Sequence, residues 1–174
     1  MKQEKLYLYR LNMKYVRDLH KADDKVQSIS PQIHKSNRPF VGVLVVLDEK
    51  QYCVPLDHPK KKHSDMNNDI DFSKIVVDGK LLAVLNFNNM IPVNDSLIKR
   101  IDLKISPYDS SAEKAYKILC AKELDWIQKH QNAIIKKANK LYKMISLGKA
   151  DNRLQKRCVD FVKLESVLHK WELK

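Results

Sequence analysis

Residues 40–47 read Phe-Val-Gly-Val-Leu-Val-Val-Leu, an unbroken apolar run rich in β-branched side chains. A run of that length is short for a helix and suits a strand covered on both faces. A second strand-forming stretch, residues 52–56, follows across the polar link Asp48-Glu49-Lys50-Gln51, so the two are expected to pair as a hairpin. Antiparallel pairing sets the start of one strand beside the end of the other. Arg38, just before the first strand, is therefore expected near residues 57–60, just after the second.

The segment leaving this hairpin is chemically dense. In Tyr52-Cys-Val-Pro-Leu-Asp-His-Pro-Lys-Lys-Lys-His63, Pro55 and Pro59 lack an N–H and fix φ, so the strand cannot simply run on. Between Asp57 and His63 the chain offers a carboxylate, two imidazoles and three ammoniums. A rigid strand feeding a polar loop holds reactive groups still. A lysine triplet alone is an ordinary solvated turn. Beside His58 and His63, which exchange protons near neutral pH, the same lysines can neutralise a phosphate.

The remaining chain supplies strands first and helices second. Residues 6–11 alternate like a strand, 13–20 have helical spacing, and 23–37 form a long polar loop containing His34. Residues 75–77 and 81–87 flank Asp78-Gly79, a hairpin signal. Short strands are expected at 90–93 and, as an edge, at 101–105. Many short strands with little helix between them suggest a small barrel. From Ser111 the apolar spacing changes to three-four. One long helical stretch should run to Gly148 with a break at His130-Gln131-Asn132, and a last helix should cover 153–171. The expected class is α+β, one domain over 1–174, mostly β over 1–110 and helical over 111–174, since neither part has enough apolar faces to close a core alone.

Charge narrows the function. The 174 residues carry 33 Lys+Arg against 21 Asp+Glu, a net of +12, and residues 111–174 alone carry 15 against 7. A polyanion such as RNA is the expected partner. Lys136, Lys137, Lys140 and Lys143 form a basic stripe on the long helical stretch, suited to an RNA backbone. No apolar run approaches the roughly 20 residues that span a bilayer, and the N-terminus leads into no signal-like core, so a cytoplasmic protein without membrane contact is expected. Cys53, Cys120 and Cys158 form no Cys-x-x-Cys pair and match no zinc spacing with His58 or His63. Neither a metal nor a cofactor is expected.

The segment Pro55-Leu-Asp-His-Pro-Lys-Lys-Lys-His63 resembles the signature loop of the ToxN/AbiQ-like toxins of type III toxin–antitoxin systems. Arg38-Pro-Phe-Val-Gly-Val43 upstream and Leu85-Asn-Phe-Asn-Asn-Met-Ile-Pro-Val93 downstream extend the likeness over most of the chain. The resemblance implies an SH3-like antiparallel β-barrel of the MazF/Kid type elaborated with helices. It also implies a metal-independent endoribonuclease of abortive phage infection, held inactive by a small folded RNA antitoxin cut from a repeat, in a protein–RNA hetero-oligomer.

Metal-free cleavage needs a base for the 2′-OH, a cation for the phosphorane and an acid for the 5′-oxygen, and leaves a 2′,3′-cyclic phosphate and a 5′-OH. The resemblance assigns phosphate stabilisation to Lys60. His58 stands where some relatives carry serine and is base or acid. Asp57, where threonine also occurs, orients. Arg38 holds the phosphate, and His34 falls near a tyrosine of some relatives. Lys61, Lys62 and His63 are expected to grip RNA, and Tyr52 to stack on a base. The rival class is a non-catalytic basic RNA-binding module, which needs the same residues. Lys60→Ala should abolish cleavage of mixed RNA and growth inhibition while changing unfolding free energy by about 0.5 kcal/mol or less, as denaturant titration would show.

Overall fold

The computed structural model describes residues 1–27 and 41–174. Within them the chain forms β1 (Leu8–Leu11), α1 (Met13–Ala22), β2 (Val41–Leu47), β3 (Lys50–Asp57), β4 (Phe72–Val77), β5 (Lys80–Asn86), β6 (Ile91–Val93), β7 (Ile98–Arg100), α2 (Ser111–Lys129), α3 (Gln131–Ser146), α4 (Asn152–Arg157) and α5 (Phe161–Glu172). The class is α+β, with the strands in the first part of the chain and helices closing over them.

The expected hairpin is the centre of the sheet. β2 and β3 pair antiparallel from Gly42↔Pro55 to Leu47↔Lys50. Their turn is tighter than four residues: Asp48 and Glu49 alone make it, with φ of 50° and 62°. Asp78 and Gly79 repeat the geometry between β4 and β5, at 50° and 73°. Positive φ at both central positions is the turn whose twist matches that of paired strands.

Strand order is β4-β5-β3-β2-β1-β7, with β6 also on β3. β3 thus has β2 along one edge and two successive partners along the other: Gln51–Cys53 pair with β6, and Leu56 and Asp57 with β5. Pro55, with no N–H to donate, lies between those two stretches. The sheet does not close into the barrel expected from the sequence. Among the described residues the terminal strands β4 and β7 do not pair, so the sheet stays open. The edge strand expected at 101–105 lies earlier, at β7. One further bond, Ile101 N–H to Leu8 C=O, carries the pairing onward.

The helices break where the sheet demands it. His130 separates α2 from α3, as the sequence suggests, and the junction clasps the N-terminal strand: Gln128 Nε2 donates to Leu6 C=O and Leu6 N–H donates to Gln131 Oε1. The last helix is not continuous over 153–171. Cys158 is extended, Val159 N–H donates to Asn88 C=O, and Asp160 caps α5 through Lys163 N–H while its own N–H reaches Asp23 Oδ2. These acceptors, on Asn88 between β5 and β6 and on Asp23 at the end of α1, take the N–H groups where the helix is interrupted.

Between the layers lies one core. Tyr52 of β3, Tyr142 of α3 and Phe161 of α5 meet with ring centroids 5.3 to 5.7 Å apart. Above them the Glu165 carboxylate accepts from Tyr52 Oη at 2.5 Å, Tyr142 Oη at 2.8 Å and Lys50 Nζ at 2.6 Å. Burial pushes the Glu165 carboxyl up, but the three donors outweigh it and hold it below its ordinary value.

β2 approaches β3 closely enough that a Cβ on Gly42 would lie 2.3 Å from Val54 O and 2.5 Å from Cys53 Sγ. Backbone cannot yield there, so Gly42→Ala should lower unfolding free energy by about 2–3 kcal/mol in denaturant titration.

Candidate functional site

β3 ends by delivering Asp57, His58, Pro59 and Lys60 to one corner of the sheet. Asp57 is its last paired residue, opposite Val84 of β5. Its Oδ2 accepts from Asn86 Nδ2 at 2.5 Å and from Gln27 Nε2 at 2.7 Å. Asn86 closes β5 and Gln27 follows α1, so three segments converge on one oxygen and fix the carboxylate's rotamer.

Pro59 then turns the chain into a short 3-10 turn at Lys61–Ser64. Lys60 is extended, with φ −97° and ψ 161°. Its N–H donates to His63 Nδ1 at 2.8 Å and its C=O accepts the His63 N–H at 2.9 Å. The His63 ring is buried, 5.4 Å from the Phe72 ring of β4. Burial, then the charges of Lys62 and Lys60, hold its pKa below the ordinary imidazole value, against a smaller opposing pull from Asp57. His58, Lys60, Lys61 and Lys62 are exposed. The corner thus presents a fixed carboxylate, an exposed imidazole and three ammoniums on a braced backbone. Such a set can bind a phosphate and exchange protons beside it.

Several sequence expectations change. Tyr52 cannot stack on a base: it is fully buried, with its hydroxyl on Glu165. His63 does not reach outward to grip RNA, because its ring is spent on Lys60 N–H and Phe72. Lys137 leaves the stripe. Its Nζ turns inward to Ser73 Oγ at 2.7 Å and Phe72 O at 3.3 Å, and burial lowers its pKa while Asp69 and Asp71 oppose that. Lys136, Lys140 and Lys143 remain exposed on α3. His34 and Arg38 lie outside the described residues, and with them the expected approach of Arg38 to the corner.

Sequence reasoning missed Asn86 and Gln27. A polar residue closing the apolar run of β5 was a usable signal for Asn86; a lone glutamine in a polar stretch gave none.

An open sheet whose central strand ends in a braced, cationic Asp-His-Pro-Lys corner, in a chain with a strongly basic helical part, suits a protein that acts on a polyanion such as RNA. Comparison with known proteins narrows this. The family described as "Toxin ToxN, type III toxin-antitoxin system" matches residues 7–169. The endoribonuclease ToxN of Bacillus thuringiensis subsp. kurstaki is 30% identical over 161 residues, covering 90% of this chain and 79% of that one. A solved type III toxin–antitoxin structure, concerned with selective toxin inhibition by a non-coding RNA pseudoknot, superposes with a TM-score of 0.80 at 27% identity, over 98% of this chain and 100% of its own. AbiQ, a lactococcal anti-phage endoribonuclease, shares the fold at a TM-score of 0.81 and 22% identity, over 98% and 100%. The chain belongs to the ToxN family of type III toxin–antitoxin endoribonucleases.

Two substitutions separate positioning from packing. Asn86→Ala frees one side of Asp57 and should slow RNA cleavage about 10- to 100-fold, since small misplacements of reacting groups cost that much. Tyr52→Phe should leave RNA affinity and cleavage within about twofold while costing about 1–2 kcal/mol of stability, because Glu165 loses one donor. Single-turnover assays and denaturant titrations read both.

Proposed function

We propose that this chain cuts RNA without a metal ion, by transesterification at the corner formed by residues 57–60, leaving 2′,3′-cyclic phosphate and 5′-OH ends. The observation that carries the reading is the braced backbone of Lys60 beside the clamped Asp57. A cation that must meet a phosphorane, and a carboxylate that must orient a reacting group, both gain from being fixed beforehand. Lys60 stabilises the phosphorane charge, His58 exchanges a proton with the 2′-OH or the 5′-oxygen, and Asp57 orients it. Arg38 and His34 complete the set on the family resemblance. Lys61 and Lys62 hold the flanking backbone. The sheet's kinship is with SH3-like toxins, a reading supported by β3 changing partners along one edge, as small barrels do.

Control follows from charge. A protein with a net of +12 is silenced by a polyanion that covers the same corner. The inhibitor is a small folded RNA, cut from a repeat by the toxin and retained because many phosphate interactions survive one cut. The pseudoknot-inhibited structural relative supports it. Lys136, Lys140 and Lys143, exposed on α3, supply such interactions, and an RNA bridging neighbouring proteins builds a protein–RNA hetero-oligomer.

Incubation with mixed RNA in EDTA should give discrete fragments with cyclic phosphate ends; activity restored only by Mg²⁺ would defeat the mechanism, and binding without cleavage would leave an RNA-binding module. Replacing Lys136, Lys140 and Lys143 by glutamine in a Lys60→Ala background should lower the log–log salt slope for repeat-RNA binding by about 0.7 to 0.9 for each phosphate no longer neutralised.

A further inference from the structure

His63 is a buried titratable group of the corner that the cleavage chemistry does not use, and it is bonded twice to the residue that chemistry depends on most. Its Nδ1 accepts the Lys60 N–H, and its own N–H returns to Lys60 C=O. Both backbone groups of Lys60 are therefore taken by one partner three residues on. The ring in turn cannot swing away, because it is buried against Phe72, whose carbonyl accepts from Lys137 Nζ. An amide N–H only donates, so Nδ1 carries no proton and Nε2 does.

We propose that His63 is a positioning residue for RNA cleavage: by accepting the Lys60 N–H it holds Lys60 extended, with its ammonium aimed at the phosphate, and it does not itself contact RNA. This rests on the endoribonuclease reading of the corner.

Two consequences separate this role from plain packing. The first is chemical: the ring works through a lone pair, so an asparagine, whose Oδ1 can lie near the place of Nδ1, substitutes for it, while an isosteric apolar ring does not. The second is protonation. The imidazolium has no lone pair on Nδ1, so protonation breaks the bond to Lys60. The charges that move the ring are those of Lys62 and Lys60 on its own loop and Asp57 on β3; β4 sets the uncharged Phe72 ring against it and reaches the neighbouring Ser64 carbonyl with Lys74, and α3 puts the Lys137 ammonium on the Phe72 carbonyl. Net positive surroundings and burial keep the ring neutral. The neutral form is the one the fold favours, so its contribution is present above the ordinary imidazole value of about 6.5 and is lost as pH falls through the lowered one.

The test uses the whole protein and a long mixed-sequence transcript in EDTA, with single-turnover rates and half-saturating protein concentrations measured for wild type, His63→Asn and His63→Phe. Wild-type cleavage is the control for the reading itself; if wild type cuts nothing, the endoribonuclease assignment fails first. Given wild-type cleavage, His63→Phe should lose about 30-fold or more in rate with half-saturation within about threefold, and His63→Asn should keep at least about a third of the rate. On the acid side the wild-type rate should fall more steeply than that of His63→Asn, because only the imidazole loses its acceptor there. Thermal melts identify a variant that has merely unfolded, and the acid-limb comparison between wild type and His63→Asn then decides. Equal rates in all three proteins, a loss of RNA binding that matches the loss of rate in His63→Phe, an asparagine variant as slow as the phenylalanine one while folded, or identical acid limbs would each overturn the proposal.

Discussion

The carboxylate of Glu165 holds this structure's layers together. It takes hydrogen bonds from Lys50 and Tyr52 of β3 and from Tyr142 of α3, while it stands itself on α5. A half-buried carboxylate must be paired, and here the pairing joins the sheet to two helices at a single point. Three aromatic rings pack beneath it, so the same junction is polar above and apolar below. Charge and packing agree on one orientation of β3.

The proposed chemistry depends on that agreement because β3 is also the strand that carries the corner. Tyr52 and Asp57 lie five residues apart on one extended segment, roughly 17 Å from anchor to far end. What holds the start of the strand therefore sets the direction of its end. The end has its own braces: Asn86 and Gln27 on Asp57, and His63 on Lys60. Exposed lysines are usually mobile and individually weak. Here the ammonium of Lys60 is exposed while the backbone beneath it is fixed, which lets a flexible residue act from a defined place.

The basic layer behaves differently along one helix. Lys136, Lys140 and Lys143 face water, whereas Lys137 is turned onto Ser73 and the Phe72 carbonyl. Four lysines that look equivalent in sequence thus divide into three that can meet a polyanion and one that fastens α3 to β4. Phe72 ties this fastening to the corner, since its ring supports His63 and its carbonyl receives Lys137.

Local pattern was enough to read the central hairpin, the Asp78-Gly79 turn, the break at His130 and the corner at residues 57–60, because each depends on residues adjacent in sequence: a β-branched run, a turn pair, a change of period, prolines ending a strand. The resemblance carried by the corner motif was enough for the family. Tertiary structure alone decided the rest. Openness of the sheet depends on whether β4 and β7, some twenty residues apart in sequence and at opposite ends of the order, meet, and no local signal reports that. The split between α4 and α5 answers acceptors on Asn88 and Asp23, far along the chain. Tyr52, His63 and Lys137 each carry a polar end that sequence reads as available to RNA. Which way such an end points is settled by what the fold places beside it, and here Glu165, the Lys60 amide and Ser73 had already claimed all three.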